Sequence, residues 1–349
     1  MKVAVVGAGV AGLAAAHALR KAAAVRHVTL FEASGWLGGH AHTVDIALPG
    51  DNDGKPFGVD TGFLVFNERT YPRLIQLFAE LGVATAKSDM SFSVQAKYRP
   101  GTAPAGLRTR LEWSGSNLNT VFAQRSNLLR PRFWNMLRDL LRFNRLATSL
   151  VEGNGALQLQ SSLGEFLHEH SFSREFTDWY LLPMVACIWS CPASQMLQYP
   201  VASLIQFCHN HGLLQITHRP QWWTVAGGSR HYVEKIAANL QDVRLGIPVR
   251  RIQRDGQGRV GGITIATDHG SETFDKVVIA THACQALELL VQPTAMAART
   301  LGAIRYQPNR AVLHTDTSVL PTRELAWAAW NYERPAAQGR ESANVCLHY

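Results

Sequence analysis

The chain has 349 residues, 46% of them apolar and 17% charged, a length and balance that suit two domains, or one large one, around a sizeable buried core. Intrinsic disorder needs few apolar residues and high net charge, so it is excluded for the chain as a whole. Lys and Arg number 34 against 26 Asp and Glu, and the resulting +8 favours anionic partners (phosphates, carboxylates, a membrane surface, nucleic acid) without choosing among them.

Val3–Val6 reads as a short buried strand, followed at once by Gly7-Ala8-Gly9-Val10-Ala11-Gly12. Leu13–Lys21 reads as an Ala-rich helix, and Val28–Phe31 as a second strand ending at Glu32. Strand, glycine turn, helix, strand and acid together form the βαβ dinucleotide fingerprint. Gly7 permits the tight turn, Gly9 lets backbone approach a pyrophosphate, and Gly12 lets helix and strand pack closely. The helix N-terminus offers N–H groups and a positive dipole end. Glu32 follows Gly12 by the spacing at which a carboxylate accepts from a ribose, and an acid there disfavours a 2′-phosphate. Glu32→Gln is expected to lose less affinity than Glu32→Ala, since its amide oxygen still accepts. The longest apolar run, Val3–Ala16, falls short of the roughly 20 residues a bilayer span requires. It imitates a secretory signal, but its glycines fit the nucleotide turn better.

After Glu32 come Ala33-Ser34-Gly35-Trp36-Leu37-Gly38-Gly39-His40 and, later, Asp60-Thr61-Gly62-Phe63. On these residues the chain resembles the flavin-containing amine oxidase, protoporphyrinogen oxidase and phytoene desaturase superfamily. The resemblance implies non-covalent FAD, with Gly38-Gly39 carrying the chain past the pyrophosphate and the Asp-x-Gly stretch near the flavin ring. His40 stands where the superfamily usually has Arg. The resemblance returns at Ala226-Gly227-Gly228-Ser229-Arg230 and at Val249, whose counterpart meets the adenine. Over most of its length the chain is also similar to a group of bacterial predicted NAD/FAD-binding proteins. The shared stretches are Asp60 to Pro72, Arg219-Pro220-Gln221-Trp222 and Ala326-Trp327-Ala328-Ala329-Trp330-Asn331-Tyr332. The cofactor set implied is Gly7, Gly9, Ala11, Gly12, Glu32, Ala33, Gly38, Gly39, His40, Thr61, Gly62, Phe63 and Val249.

Between Tyr71 and Trp223 the pattern turns helical, with Tyr71–Leu81 ended by Gly82, and Phe133–Leu150 carrying Phe133, Leu137, Leu140 and Leu141 on one side. Arg125, Arg130, Arg132, Arg138, Arg142 and Arg145 interleave there with Phe122, Phe133, Trp134 and Phe143. That is a solvated basic face or a helix lying on an anionic membrane. No recognised nucleic-acid module accompanies it. Arg230–Leu240 reads as a helix, Val243–Leu245, Pro248–Ile252 and Gly261–Ala266 as strands, and Phe274–Thr281 as one further strand re-entering the nucleotide domain.

The expected fold is α/β: a Rossmann-like FAD-binding domain (1–80 and 219–292) with an interleaved, largely helical α+β substrate domain (81–218 and 293–349). The five cysteines, Cys187, Cys191, Cys208, Cys284 and Cys346, read as reduced thiols of a cytoplasmic protein, with membrane-surface association left open. The spacing of Cys187, Cys191, Cys208, His209 and His211 matches no zinc pattern, so no metal is expected. Tyr71, Trp222, Trp327, Trp330 and Tyr332 are candidates to line an apolar channel. No catalytic residue is nominated. Without a second glycine fingerprint for NAD(P)H, electrons would leave a flavin to oxygen, a quinone or a carrier. The expected function is FAD-dependent oxidation of a C–N or C–C bond in a small molecule, an amine or an apolar lipid, with a non-catalytic dinucleotide-binding protein as the alternative. The resemblance ends near residue 333, before the glycine-rich strand and helix that close the superfamily's flavin site. That implies weak FAD binding and slow turnover for residues 1–349.

Overall fold

The computed structural model describes residues 1–47, 56–98, 110–153, 155, 159–217, 219–256, 261–334 and 346–349. It opens with β1 (Lys2–Val6), α1 (Val10–Lys21), β2 (His27–Phe31), β3 (Thr43–Ile46), β4 (Phe57–Asp60), β5 (Phe66–Asn67) and α2 (Pro72–Leu81). Then come β6 (Thr85–Ser88), β7 (Phe92–Lys97) and β8 (Arg110–Ser114), and the helices α3 (Leu118–Val121), α4 (Pro131–Glu152), α5 (Leu163–Glu169), α6 (Arg174–Phe176), α7 (Leu182–Trp189), α8 (Ala193–Leu197) and α9 (Val201–Asn210). The remainder is β9 (Trp222–Val225), α10 (Arg230–Ala237), β10 (Asp242–Arg244), β11 (Val249–Arg254), β12 (Ile263–Thr267), β13 (Gly270–Phe274), β14 (Lys276–Ile279), α11 (Ala283–Leu289), α12 (Ala295–Gly302), β15 (Trp330–Arg334) and β16 (Cys346–His348).

The chain divides into two units: Met1–Val65 with Arg73–Ala86 and Thr224–Ala311, and Phe66–Pro72 with Lys87–Trp223 and Val312–Tyr349. Against the expected boundaries, 66–72 and 219–223 fall in the second unit and 81–86 and 293–311 in the first. The reasons are local. Phe66 and Asn67 pair with Trp223 and Trp222, and α12 packs on α11.

In the first unit, β10, β2, β1 and β14 form a parallel sheet in that order. Val3–Val6 are at most 4% exposed, the near-continuous apolar run of a strand covered on both faces. β2 lies on one side of β1 and β14 on the other, which opens a crevice at the carboxyl end of β1. The run 274–281, expected as one strand, is divided at Asp275. The Asp275 carboxylate accepts from the Lys2 N–H at 2.6 Å, so β13 closes an antiparallel sheet with β11 and β12 while β14 enters the parallel one. Ala4, Val6, Phe31, Val249, Ile252, Ile265 and Phe274 form the core beneath both sheets.

The second unit carries the helices and a sheet in the order β16-β15-β7-β8, in which only β15 and β7 are parallel. β7 and β8 escaped the sequence reading because polar residues occupy their buried positions. Ser93, Gln95 and Glu112 are all fully buried, Ser93 donating to Asn331 at 2.8 Å and Glu112 accepting from the Thr322 N–H and Arg323. Pro131 opens α4 at a position where no N–H is needed. Its buried face is Phe133, Met136, Phe143 and Ala147; Leu141, expected there, is 42% exposed. The stripe is rotated because Asp139 is drawn inward, 2% exposed, to accept from the Ser173 N–H at 2.8 Å. Among the described residues no helix is long and apolar enough to cross a membrane.

Glu333 on β15 accepts from Lys97 at 2.6 Å and lies 3.1 Å from His348, and these partners pull its carboxyl down to about 2. The His348 hydrogen bond is the largest cause, ahead of Lys97. A depressed carboxyl stabilises the fold above its unfolded value and loses that contribution as pH falls through the folded one. Glu333→Gln is therefore expected to lower the thermal midpoint above about pH 4.5, with the gap to the parent closing toward pH 2. Unfolding scans across that range check it.

Candidate cofactor site

Two of the glycines in the turn after β1, Gly7 and Gly12, have no room for a side chain. Gly7 has φ +98°, and a Cβ there would lie 2.9 Å from the Ala280 carbonyl oxygen. A Cβ on Gly12 would lie 1.8 Å from the Gly7 carbonyl oxygen. Gly9, at φ −64°, is different: a Cβ there meets nothing within 4 Å, so its glycine leaves space rather than avoiding a clash inside the protein. Gly9 is the N-cap of α1, no side chain caps that end, and its first turn, with Ala11 exposed, holds no acid. The helix thus presents uncompensated N–H groups toward the space above Gly9.

Glu32 leaves β2 at the same edge. Its carboxylate accepts from the Ala8 N–H at 2.7 Å through one oxygen and from the Ser34 N–H at 2.8 Å through the other. Each oxygen keeps a second lone pair, so the acid is held in place without being used up. The Glu32 N–H donates to the Arg244 carbonyl, and the Glu32 carbonyl accepts from Ile247. These bonds bring the segment leading to Val249 beside Glu32 and Ala33.

Two loops close on the turn. The Gly38 N–H donates to Ala8 at 2.9 Å, and Gly38 and Gly39 both have positive φ; a Cβ on Gly39 would sit 3.0 Å from the Gly9 Cα. Thr61 and Phe63 donate backbone N–H groups to His42 and His40, and a Cβ on Gly62 would lie 2.1 Å from the His40 carbonyl oxygen. The structure thus gathers the residues singled out in the sequence at one edge of the first unit. Asp60 has a different part: its carboxylate accepts from the Ser229 N–H and hydroxyl and from Thr43, tying the Gly227-Gly228 turn to β4. Beside these residues lies a ring stack, His40–His282–Tyr306, with centroid separations of 5.9 and 4.4 Å, of which His282 and Tyr306 stand outside the expected set. His282 follows β14 much as the glycine turn follows β1, and a residue just past a strand beside β1 was the available signal.

The geometry fits a dinucleotide such as FAD. The turn over Gly9 leaves room that a side chain would fill, the helix end supplies donors, and the fixed Glu32 supplies an acceptor. Grooves of about 500 Å³ beside Leu141 and Leu214, and of about 220 Å³ beside Arg244 and Ile265, contain none of the expected cofactor residues.

In the second unit His211 stacks on Phe207 at 4.0 Å, with Trp222 and Tyr71 each 6.4 Å away. Trp327 lies apart, its indole donating to Pro321, while Trp330 meets Tyr349 and Tyr332 packs into the core beside β7. Burial pushes the Cys208 thiol up to about 12 and Cys187 well above its ordinary value, so neither is a thiolate near neutrality. Among the described residues no His, Cys, Asp or Glu cluster suits a metal ion.

Residues 10–334 match the flavin containing amine oxidoreductase family. Among solved structures, a putrescine oxidase is similar with a TM-score of 0.61 and 20% identity over 86% of this chain and 62% of its own. Cyclohexylamine oxidase from Brevibacterium oxydans IH-35A gives 0.57 and 22% over 85% and 62%. A fatty acid isomerase from P. acnes that produces CLA gives 0.56 and 16% over 86% and 63%. At these identities the likeness is one of fold, and the chain spans under two thirds of each of these structures. No curated protein matches the sequence.

Proposed function

Because the chain belongs to the flavin containing amine oxidoreductase family, whose cofactor is FAD, we propose that it oxidises a C–N or C–C bond of a small molecule, with the FAD held non-covalently on the first unit. FAD, when bound, supplies a two-electron acceptor for a hydride from substrate, and the electrons then pass to oxygen, a quinone or a carrier. The observation that carries the reading is the open space above Gly9 flanked by the N-terminus of α1 and by a Glu32 carboxylate fixed by two backbone N–H groups.

In this reading Gly7, Gly9, Ala11 and Gly12 cradle the pyrophosphate, Glu32 and Ala33 meet the adenosine ribose, and Val249 lies by the adenine. Gly38, Gly39 and His40 carry the chain past the phosphates, and Thr61, Gly62 and Phe63 run toward the flavin. His40 offers a hydrogen bond where an arginine would offer a fixed charge. Putrescine oxidase and cyclohexylamine oxidase, as their names state, act on amines, and the fatty acid isomerase on a lipid; both substrate classes are supported by fold likeness. The Tyr71–His211–Trp222 group suits either, since aromatic faces accept alkyl chains and ammonium groups alike.

The purified chain, reconstituted with FAD and desalted, is expected to show flavin absorbance and to release intact FAD on heating. Anaerobic mixing with a panel of mono- and diamines and unsaturated fatty acids is then expected to bleach that absorbance with one class. Stoichiometric flavin that no member bleaches, with no turnover on an artificial acceptor, would favour a non-catalytic dinucleotide-binding protein.

A further inference from the structure

The surface around the start of α4 combines features that a protein face turned only to water does not need. Leu118 is 79% exposed, Leu129 88%, Leu128 45% and Trp134 48%. They belong to one patch: Trp134 donates its indole N–H to the Leu128 carbonyl at 2.9 Å and packs its ring 5.3 Å from Phe122, whose N–H bonds Leu118. From Trp134 the exposed face of α4 continues through Arg138, Leu141 and Arg145, at spacings of four, three and four that keep them on one side.

The charges around this patch are mostly of one sign. Arg125, Arg130 and Arg138 donate to neutral groups, Asn119, Asn127 and Asn135, and among the described residues none has a carboxylate within ion-pair distance. The acids nearby are few. Asp139 is buried and bonded to Ser173, Glu175 lies 3.6 Å from Arg132, and Glu324 sits in a turn packed on α3. Exposed leucines and a tryptophan inside a ring of arginines complement a bilayer surface, where apolar side chains enter the acyl boundary and guanidinium groups meet phosphates. Nucleic acid would use the arginines but gain nothing from Leu118, Leu128 and Leu129.

We propose that this face of the second unit, centred on Leu128, Leu129 and Trp134 with Arg125, Arg130 and Arg138 around it, docks the protein on an anionic lipid surface. Flotation of the full chain with phosphatidylcholine vesicles, with and without about one-third phosphatidylglycerol, tests it. The protein is expected to float with the anionic vesicles alone and to be released by about 0.5 M salt. Arg125→Ser/Arg138→Ser should lower partitioning about 30-fold. Leu128→Ser/Leu129→Ser should lower it at low salt too, both pairs keeping the parent's thermal midpoint. The proposal is overturned if neutral vesicles bind as well or either pair floats like the parent. It is equally overturned if a nucleic-acid duplex displaces the vesicles, or if the leucine pair only dissolves a dimer that never floats.

Discussion

Gly9→Ala is expected to fold as the parent does yet bind FAD about 10- to 100-fold more weakly, whereas Gly12→Ala should fail at the fold itself. The two glycines stand three residues apart in one turn, and their surroundings are opposite. A methyl on Gly9 points into open space at an ordinary φ of −64°, so the apoprotein has no reason to move. That space is where a pyrophosphate would sit on the N-terminus of α1, and overpacking by one methyl costs about 1–3 kcal/mol where neighbours cannot yield. On Gly12 the same methyl would lie 1.8 Å from the Gly7 carbonyl oxygen, inside the protein. The helix must then lift from β1, taking buried Leu13 and Ala16 with it, so we expect a loss of about 3 kcal/mol or more. Thermal unfolding of the apoproteins separates the two cases, and FAD titration of Gly9→Ala completes the test. If Gly9→Ala binds FAD like the parent, the pyrophosphate does not lie on this turn.

This corner of the molecule was legible in the sequence because its rules are local. Glycines at Gly7, Gly9 and Gly12, an apolar strand before them, an Ala-rich helix after, and an acid ending the next strand each follow from the geometry of a single turn. Legibility failed where a tertiary partner decided. Asp275 breaks a run of strand-like residues because its carboxylate finds the Lys2 N–H across 273 positions of sequence. Ser93, Gln95 and Glu112 are buried on strands that alternate for no apparent gain until Asn331, Val319 and Thr322 arrive as partners. Leu141 is exposed because Asp139 turns the helix inward toward Ser173. Asp60 stood out in a motif, but that its carboxylate is bound to Ser229 and Thr43 could not be read from spacing.

Glu32 shows how a partner can also alter an expected result. From sequence alone, Glu32→Gln should lose less than Glu32→Ala, because an amide oxygen still accepts from a ribose. In the structure both carboxylate oxygens already accept from backbone, Ala8 through one and Ser34 through the other. Glutamine has one acceptor, so its NH₂ must face one of those two N–H groups, and a donor set against a donor leaves both unpaired. Each lost charge-assisted bond is worth about 1.5–3 kcal/mol. With its oxygen held by one of these N–H groups and its NH₂ turned to the other, the amide also loses the charge-assisted acceptor a ribose hydroxyl would meet. Glu32→Gln is therefore expected to weaken FAD by about 10- to 100-fold, close to Glu32→Ala rather than midway to the parent. Its apoprotein should also melt lower, since the bonds to Ala8 and Ser34 exist before any nucleotide arrives. Measuring both quantities separates the two parts of the carboxylate. A lower melting point with unchanged FAD affinity would leave Glu32 as a brace for the turn and remove it from the ribose site. A fall in affinity larger than the loss of stability explains would place a hydroxyl on the second lone pairs.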